Sequence, residues 1–174
     1  HNLLEEEKQK NNGCIPSPPK RRLVLSYEPS KNWRTDNKKS LQTTKWTILR
    51  FAILERDNYF CLHCGWSSPT DLGKLQVNHI DGNYKNNDFS NLVTICIHCH
   101  FIVHSGLSAG VWGVVEVYEK SNVSQEEIIF MTHNLREKGH DDEFIKEKCG
   151  LLSQVPWKQD YDYLSNKFGF ISSA

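Results

Sequence analysis

The sequence predicts an α+β chain: a β-hairpin and a following helix, stapled by a four-cysteine zinc site, with an N-terminal arm and a small helical extension around them. Three observations predict it. Two Cys-x-x-Cys pairs, Cys61/Cys64 and Cys96/Cys99, stand 31 residues apart. Between them, LQVNHI alternates apolar and polar residues as a half-buried strand does, and NLVTI supplies a second strand after a turn-rich loop. On either side, apolar residues recur at helical spacing behind Thr and Ser caps.

The 174 residues suffice for one domain with extensions or for two small domains. The hydrophobic fraction of 38% implies a modest core, which makes a structural metal more useful. No apolar run approaches the roughly 20 residues of a membrane helix, and no charged-then-apolar leader opens the chain. Neither secretion nor membrane insertion is therefore expected. The six cysteines lie at 14, 61, 64, 96, 99 and 149. A secreted disulfide framework would be shorter and denser, so the paired spacing favours zinc in a reducing, cytoplasmic setting.

Net charge is zero but unevenly spread. Residues 1–60 carry 12 Lys/Arg against 7 Asp/Glu, residues 61–104 carry 2 against 3, and residues 105–174 carry 7 against 11. A protein that grips DNA unaided usually displays a larger basic excess. The positive N-terminal third is a candidate phosphate contact, and a solvated charged face is the plain alternative.

In chain order, residues 1–42 read as an arm, partly extended. EEEKQKNN has little to bury, and the prolines of IPSPPKRR forbid helix. Arg21–Tyr27 reads as a short strand with Leu23 and Leu25 on one face. Lys20, Arg21 and Arg22 are the candidate nucleic-acid contacts. A helix begins at Thr43 or Thr44, carries Trp46, Leu49 and Ile53 as its apolar stripe, and stops near Asp57-Asn58. The cysteine-stapled core spans 43–106, and 107–174 form the extension.

Two residues between cysteines let both thiolates of each pair face one ion, and two such knuckles make a tetrahedral site from Cys61, Cys64, Cys96 and Cys99. A redox dithiol needs one pair only. His63 and His98, held between paired cysteines, are expected to point outward. In the intervening stretch a strand ends in Asn78-His79, Asp81-Gly82-Asn83 marks a turn, and a helix starts near Cys96 or Ile97. On that helix His100 and His104, four apart, share a face, so that His79 and this pair can converge.

The segment CLHC…LQVNHIDGN…NNDFSNLVTICIHCH resembles the HNH endonuclease family, the ββα-metal nucleases, and within it the zinc-knuckle and phage-type members with a V-x-H-I-D-G-N core. The resemblance covers roughly 45–106. It implies His79 as the general base that activates water, since an imidazole titrates near neutrality. It implies Asn91 as the residue that ties the loop and orients the base, with His100 and His104 as ligands of a catalytic divalent ion. That ion would stabilise the phosphorane and the leaving 3′ oxygen. Asn78 stands where Asp or His is common, so the ligand set is neutral. Mg²⁺ or Mn²⁺ is the expected ion, with Ni²⁺, Co²⁺ or Zn²⁺ suited to imidazole-rich ligation. DNA is the implied substrate.

In the extension, GVWGVVEVY (110–118) reads as a strand, Ser124-Gln-Glu-Glu127 as a capping box opening a helix to about Lys138, and Asp141–Cys149 as a second helix ending at Gly150. A third helix is expected from Asp160 to Phe168. EFIKEKCGLLS (143–153) parallels DYLSNKFGFIS (162–172), a pattern reminiscent of a helix-turn-helix or of two similarly capped helices. The acidic balance here suits a protein partner or a homodimer contact. The sequence thus reads as a metal-dependent DNA endonuclease or nickase. The alternative is a catalytically weak, zinc-stapled module that binds nucleic acid or docks in a larger complex.

Overall fold

A computed structural model describes residues 2–27, 43–68 and 70–173. The fold is α+β, with small antiparallel sheets and short helices. Its contacts divide the chain into two units: one within 1–20, 32–62 and 67–96, the other within 21–31, 63–66 and 97–174. Among the described residues no helix is long and apolar enough to cross a membrane. Residues 28–42, the rest of the expected arm, lie outside the described residues.

In the first unit, α1 (Leu3–Lys10) forms where an arm with little to bury was expected. The reasons are local and tertiary together. Asn2 caps the helix by accepting from the Glu5 N–H at 3.3 Å, and Lys8–Glu5 and Lys10–Glu7 pair one turn apart at 2.8 and 3.2 Å. Leu4 is buried with Leu49, Ala52, Ile53, Phe89 and Leu92, with Leu3, Ile15, Trp46 and Val77 packed around them. The second helix, α2 (Thr44–Arg56), starts as expected: the Thr43 hydroxyl accepts from the Trp46 N–H at 3.1 Å. It closes at Asp57, after which Asn58 turns left-handed at φ 53°. Strands β1 (Leu75–His79) and β2 (Leu92–Cys96) make the expected hairpin, antiparallel, with Leu75 opposite Cys96 and His79 opposite Leu92.

Buried charge ties these parts together. The Arg56 guanidinium forks onto the Asp57 carboxylate at 2.7 and 2.9 Å, with both side chains under 5% exposed. Its other donors reach the carbonyls of Pro16 (3.0 Å), Phe89 (2.7 Å) and Leu92 (2.7 Å). Asp57 in turn accepts from the Thr94 N–H at 3.0 Å.

The second unit holds α3 (Ile97–Val103), α4 (Ser105–Ser108), β3 (Val115–Lys120), α5 (Gln125–Glu137), α6 (Asp142–Cys149), β4 (Leu152–Val155), α7 (Tyr161–Leu164) and β5 (Phe168–Ile171). The sheet runs β4-β3-β5, antiparallel throughout. The capping box at Ser124 and Glu127 is formed, and Gly150 takes the left-handed φ of 68° that ends α6.

Several expectations are corrected. The strand foreseen from Gly110 begins at Val115, and the third helix stops at Leu164. The two parallel segments do not make a helix-turn-helix: α6 leads past Gly150 into β4, α7 leads into β5, which contains Gly169, and the two strands flank β3. The alternating, largely buried β3 demands partners on both edges, and FGFI and LSQV supply them. Residues 21–27 are extended with Leu23 and Leu25 buried, yet they join no strand. Ser26 instead donates to the Ile102 carbonyl and accepts from the Ser105 N–H at the end of α3.

Gly169 sits where β5 is tightest. A Cβ there would meet Ile102 Cδ1 at 2.5 Å and Leu25 Cδ2 at 3.0 Å. Gln125 fills the role of a backbone partner beside it, its amide donating to the Gly169 carbonyl at 2.8 Å and accepting its N–H at 2.6 Å.

Two stability measurements follow from this packing. Arg56→Ala strands the Asp57 carboxylate in the core and should cost about 3–5 kcal/mol in urea unfolding. Gly169→Ala should cost about 1–3 kcal/mol through overpacking; an unchanged midpoint would contradict the close approach.

Candidate metal centre and hairpin loop

Cys61 follows the turn that closes α2, Cys64 lies in the next turn, Cys96 ends β2 and Cys99 sits in α3. The four ligand atoms all lie within 4.8 Å of one another; Cys61, Cys96 and Cys99 are buried and Cys64 is half-buried. Zinc–sulfur bonds of about 2.3 Å place tetrahedral thiolates about 3.8 Å apart, so this spacing fits one ion. Among the described residues it is the one His/Cys/Asp/Glu group of three or more so arranged. The four cysteines can therefore hold a structural zinc. Cys14 is exposed and Cys149 buried, both outside the cluster, and burial pushes the Cys149 thiol up to about 11.

The knuckle histidines depart from expectation. Nδ1 of both His63 and His98 is buried, and the His98 ring stacks on His133 at 4.3 Å rather than pointing outward. Trp66, two residues beyond Cys64, stacks on the other face of His133 at 4.0 Å. The sequence reading missed Trp66 and His133. The one local signal was the polar His133 on the buried face of α5.

On the hairpin, His79 Nε2 lies 2.9 Å from Asn87 Oδ1, and the imidazole stacks against Trp46 at 5.3 Å. Asn78, opposite Val93 in the ladder, is half-buried. Asn91 is the tie of the loop. Its amide donates to Asp81 Oδ1 (3.0 Å) and the Asn86 carbonyl (2.9 Å), and its Oδ1 accepts from the Asp81 N–H (3.1 Å). The Asn86 amide and the Asn83 N–H, and less strongly Asn91, hold the Asp81 carboxyl below the usual carboxylate range. Asp81 thus serves as a loop staple.

His100 and His104 do share a helical neighbourhood, their rings edge to face at 4.6 Å. Burial, and then the charge of His104, pushes His100 down to about 3, so it is neutral at ordinary pH. His79 belongs to the first unit, and His100 and His104 to the second. Lys20, Arg21 and Arg22 are all exposed.

No protein-family model matches the chain. Over 122 residues, 69% of the chain, it is 34% identical to the Type 4 apparatus protein DotN of Legionella pneumophila. The chain spans about half the length of that curated relative.

This similarity overturns the nuclease reading. The relative is a Type 4 apparatus protein, so the HNH family assignment, the hydrolase activity and the enzyme class are all withdrawn. The catalytic Mg²⁺ or Mn²⁺ (or Ni²⁺, Co²⁺) and DNA as substrate fall with them. The similarity assigns no role to His79, Asn91, Asn78, His100 or His104. A hairpin and helix is a scaffold that does not carry its activity with it. In this chain Asn91 and Asp81 hold the loop together.

Purified protein should contain about one tightly held zinc per chain by elemental analysis, and Cys96→Ser should lose it. A chain with no zinc would remove the metal centre from the account.

Proposed function

We propose that the chain is a non-enzymatic, zinc-stapled docking component of a multi-protein type 4 secretion apparatus. The observation that carries this is its 34% identity to a Type 4 apparatus protein over 69% of its length. The four-cysteine cluster supports it, because a modest core stabilised by metal suits a part that presents surface to neighbours. Cys61, Cys64, Cys96 and Cys99 act as zinc ligands for the scaffold. The partner is a protein of the apparatus, in keeping with the acidic balance of residues 105–174, where 11 Asp/Glu stand against 7 Lys/Arg. Thiolates that must stay reduced support a cytoplasmic setting. Chain organisation follows the same reading: residues 43–106 form the stapled scaffold, 1–42 lead into it, and 107–174 extend it toward the partner.

Complementation separates a scaffold from an enzyme. In cells that carry the apparatus, deletion of this gene should abolish transport by it. Wild type and His79→Ala should restore transport, whereas Cys96→Ser should not. Loss of transport with His79→Ala at normal protein level, or full rescue by Cys96→Ser, would sink the proposal.

A further inference from the structure

His133 lies far along the chain from either cysteine pair, yet it is inserted between residues of both. Trp66 covers one face of its ring at 4.0 Å and 8° from parallel, and His98 covers the other at 4.3 Å and 12°. Trp66 follows Cys64 by two residues; His98 immediately precedes Cys99. Trp66 and His133 are 6% and 7% exposed, so the column is interior. Each outer ring comes from a different Cys-x-x-Cys segment, and the middle ring comes from α5. The slot that receives His133 exists only when both segments hold their folded spacing. A metal bound by the four cysteines would hold that spacing.

We propose that His133 is the positioning residue that couples the metal centre to α5, so that zinc binding and docking of this helix are one linked event. The choice of residue supports this. An ordinary core position on α5 is filled by an aliphatic side chain, as at Ile128 and Ile129, whereas a three-ring stack requires a flat ring of this width. What α5 carries makes the coupling consequential. Gln125 at its start pairs with both backbone groups of Gly169 in β5, and Glu126 accepts the Leu23 N–H at 2.6 Å. Arg136 near its end donates to Asp142 at 2.9 Å and to the Ile171 carbonyl. Metal loading thereby organises the sheet edge and the 21–27 segment through one helix. Linkage requires the converse as well: α5 in place tightens the hold on the ion. The inference rests on the cysteine site and is independent of the apparatus reading.

Hydrogen exchange and zinc release on the full chain test it. Removing zinc from wild type with a chelator should raise amide exchange across 125–137. His133→Ala should release zinc to a colorimetric chelator about tenfold faster than wild type, the scale of outer-shell effects at metal sites. It should also show raised exchange in 125–137 while still loaded. His133→Phe, which keeps a flat ring and discards both ring nitrogens, should stay close to wild type in both measurements. Protection of 125–137 that survives zinc removal in wild type would overturn the proposal. So would zinc release from His133→Ala at the wild-type rate, or His133→Phe behaving as His133→Ala. Should His133→Ala fail to fold, the wild-type comparison and His133→Phe decide the matter.

Discussion

The Arg56 guanidinium is the interaction on which the hairpin unit depends. Taking an Arg–Asp pair out of water is costly, and the mutual attraction offsets that cost only when the remaining donors and acceptors are also used. Here they are. Five contacts run from Arg56 to Asp57, Pro16, Phe89 and Leu92. The second carboxylate oxygen of Asp57 also takes the Thr94 N–H. One planar group therefore sets the end of α2, the segment behind α1 and the entry to β2. Since β2 ends at Cys96 and its partner β1 ends at His79, the pair also fixes where those two residues stand. Its value is orientation more than net stability.

The hairpin loop is held by its own polar side chains. Asn91, Asp81, Asn86 and Asn83 form a closed set of side-chain and backbone hydrogen bonds. His79 is held by Asn87 and by the face of Trp46. These are the interactions any compact polar loop requires to satisfy its backbone. Within the V-x-H-I-D-G-N pattern, Asp81 and Asn83 meet that structural demand. The cysteine cluster is a firmer reading. Four sulfur ligands within 4.8 Å of one another have a direct geometric consequence, whatever the protein does.

Much of the chain was legible residue by residue because the forces are local. Thr43, Ser124 with Glu127, Asp141 and Gly150 each satisfy orphan groups at a helix end within three or four residues, so the boundaries of α2, α5 and α6 could be read directly. Alternation revealed β1 and β2, and Cys-x-x-Cys spacing revealed the metal ligands. The N-terminal helix was missed: its charged stretch looks unstructured until Leu4 finds Leu49, Ile53 and Phe89.

What the tertiary structure alone decided comes from residues distant in sequence. FGFI became a strand because β3 offered an open edge, although the preceding residues carry a helical pattern. Gln125 became a surrogate backbone for Gly169 only across 44 positions of chain. His133 is the middle of a ring stack whose outer rings, Trp66 and His98, lie beside the two cysteine pairs, far from it in sequence. The sequence by itself determined the caps, the hairpin and the four thiolates, because each is specified by neighbours a few residues away. Only the folded chain decided which edge, which slot and which buried charge each element would meet, because those energies exist only between surfaces that the sequence keeps far apart.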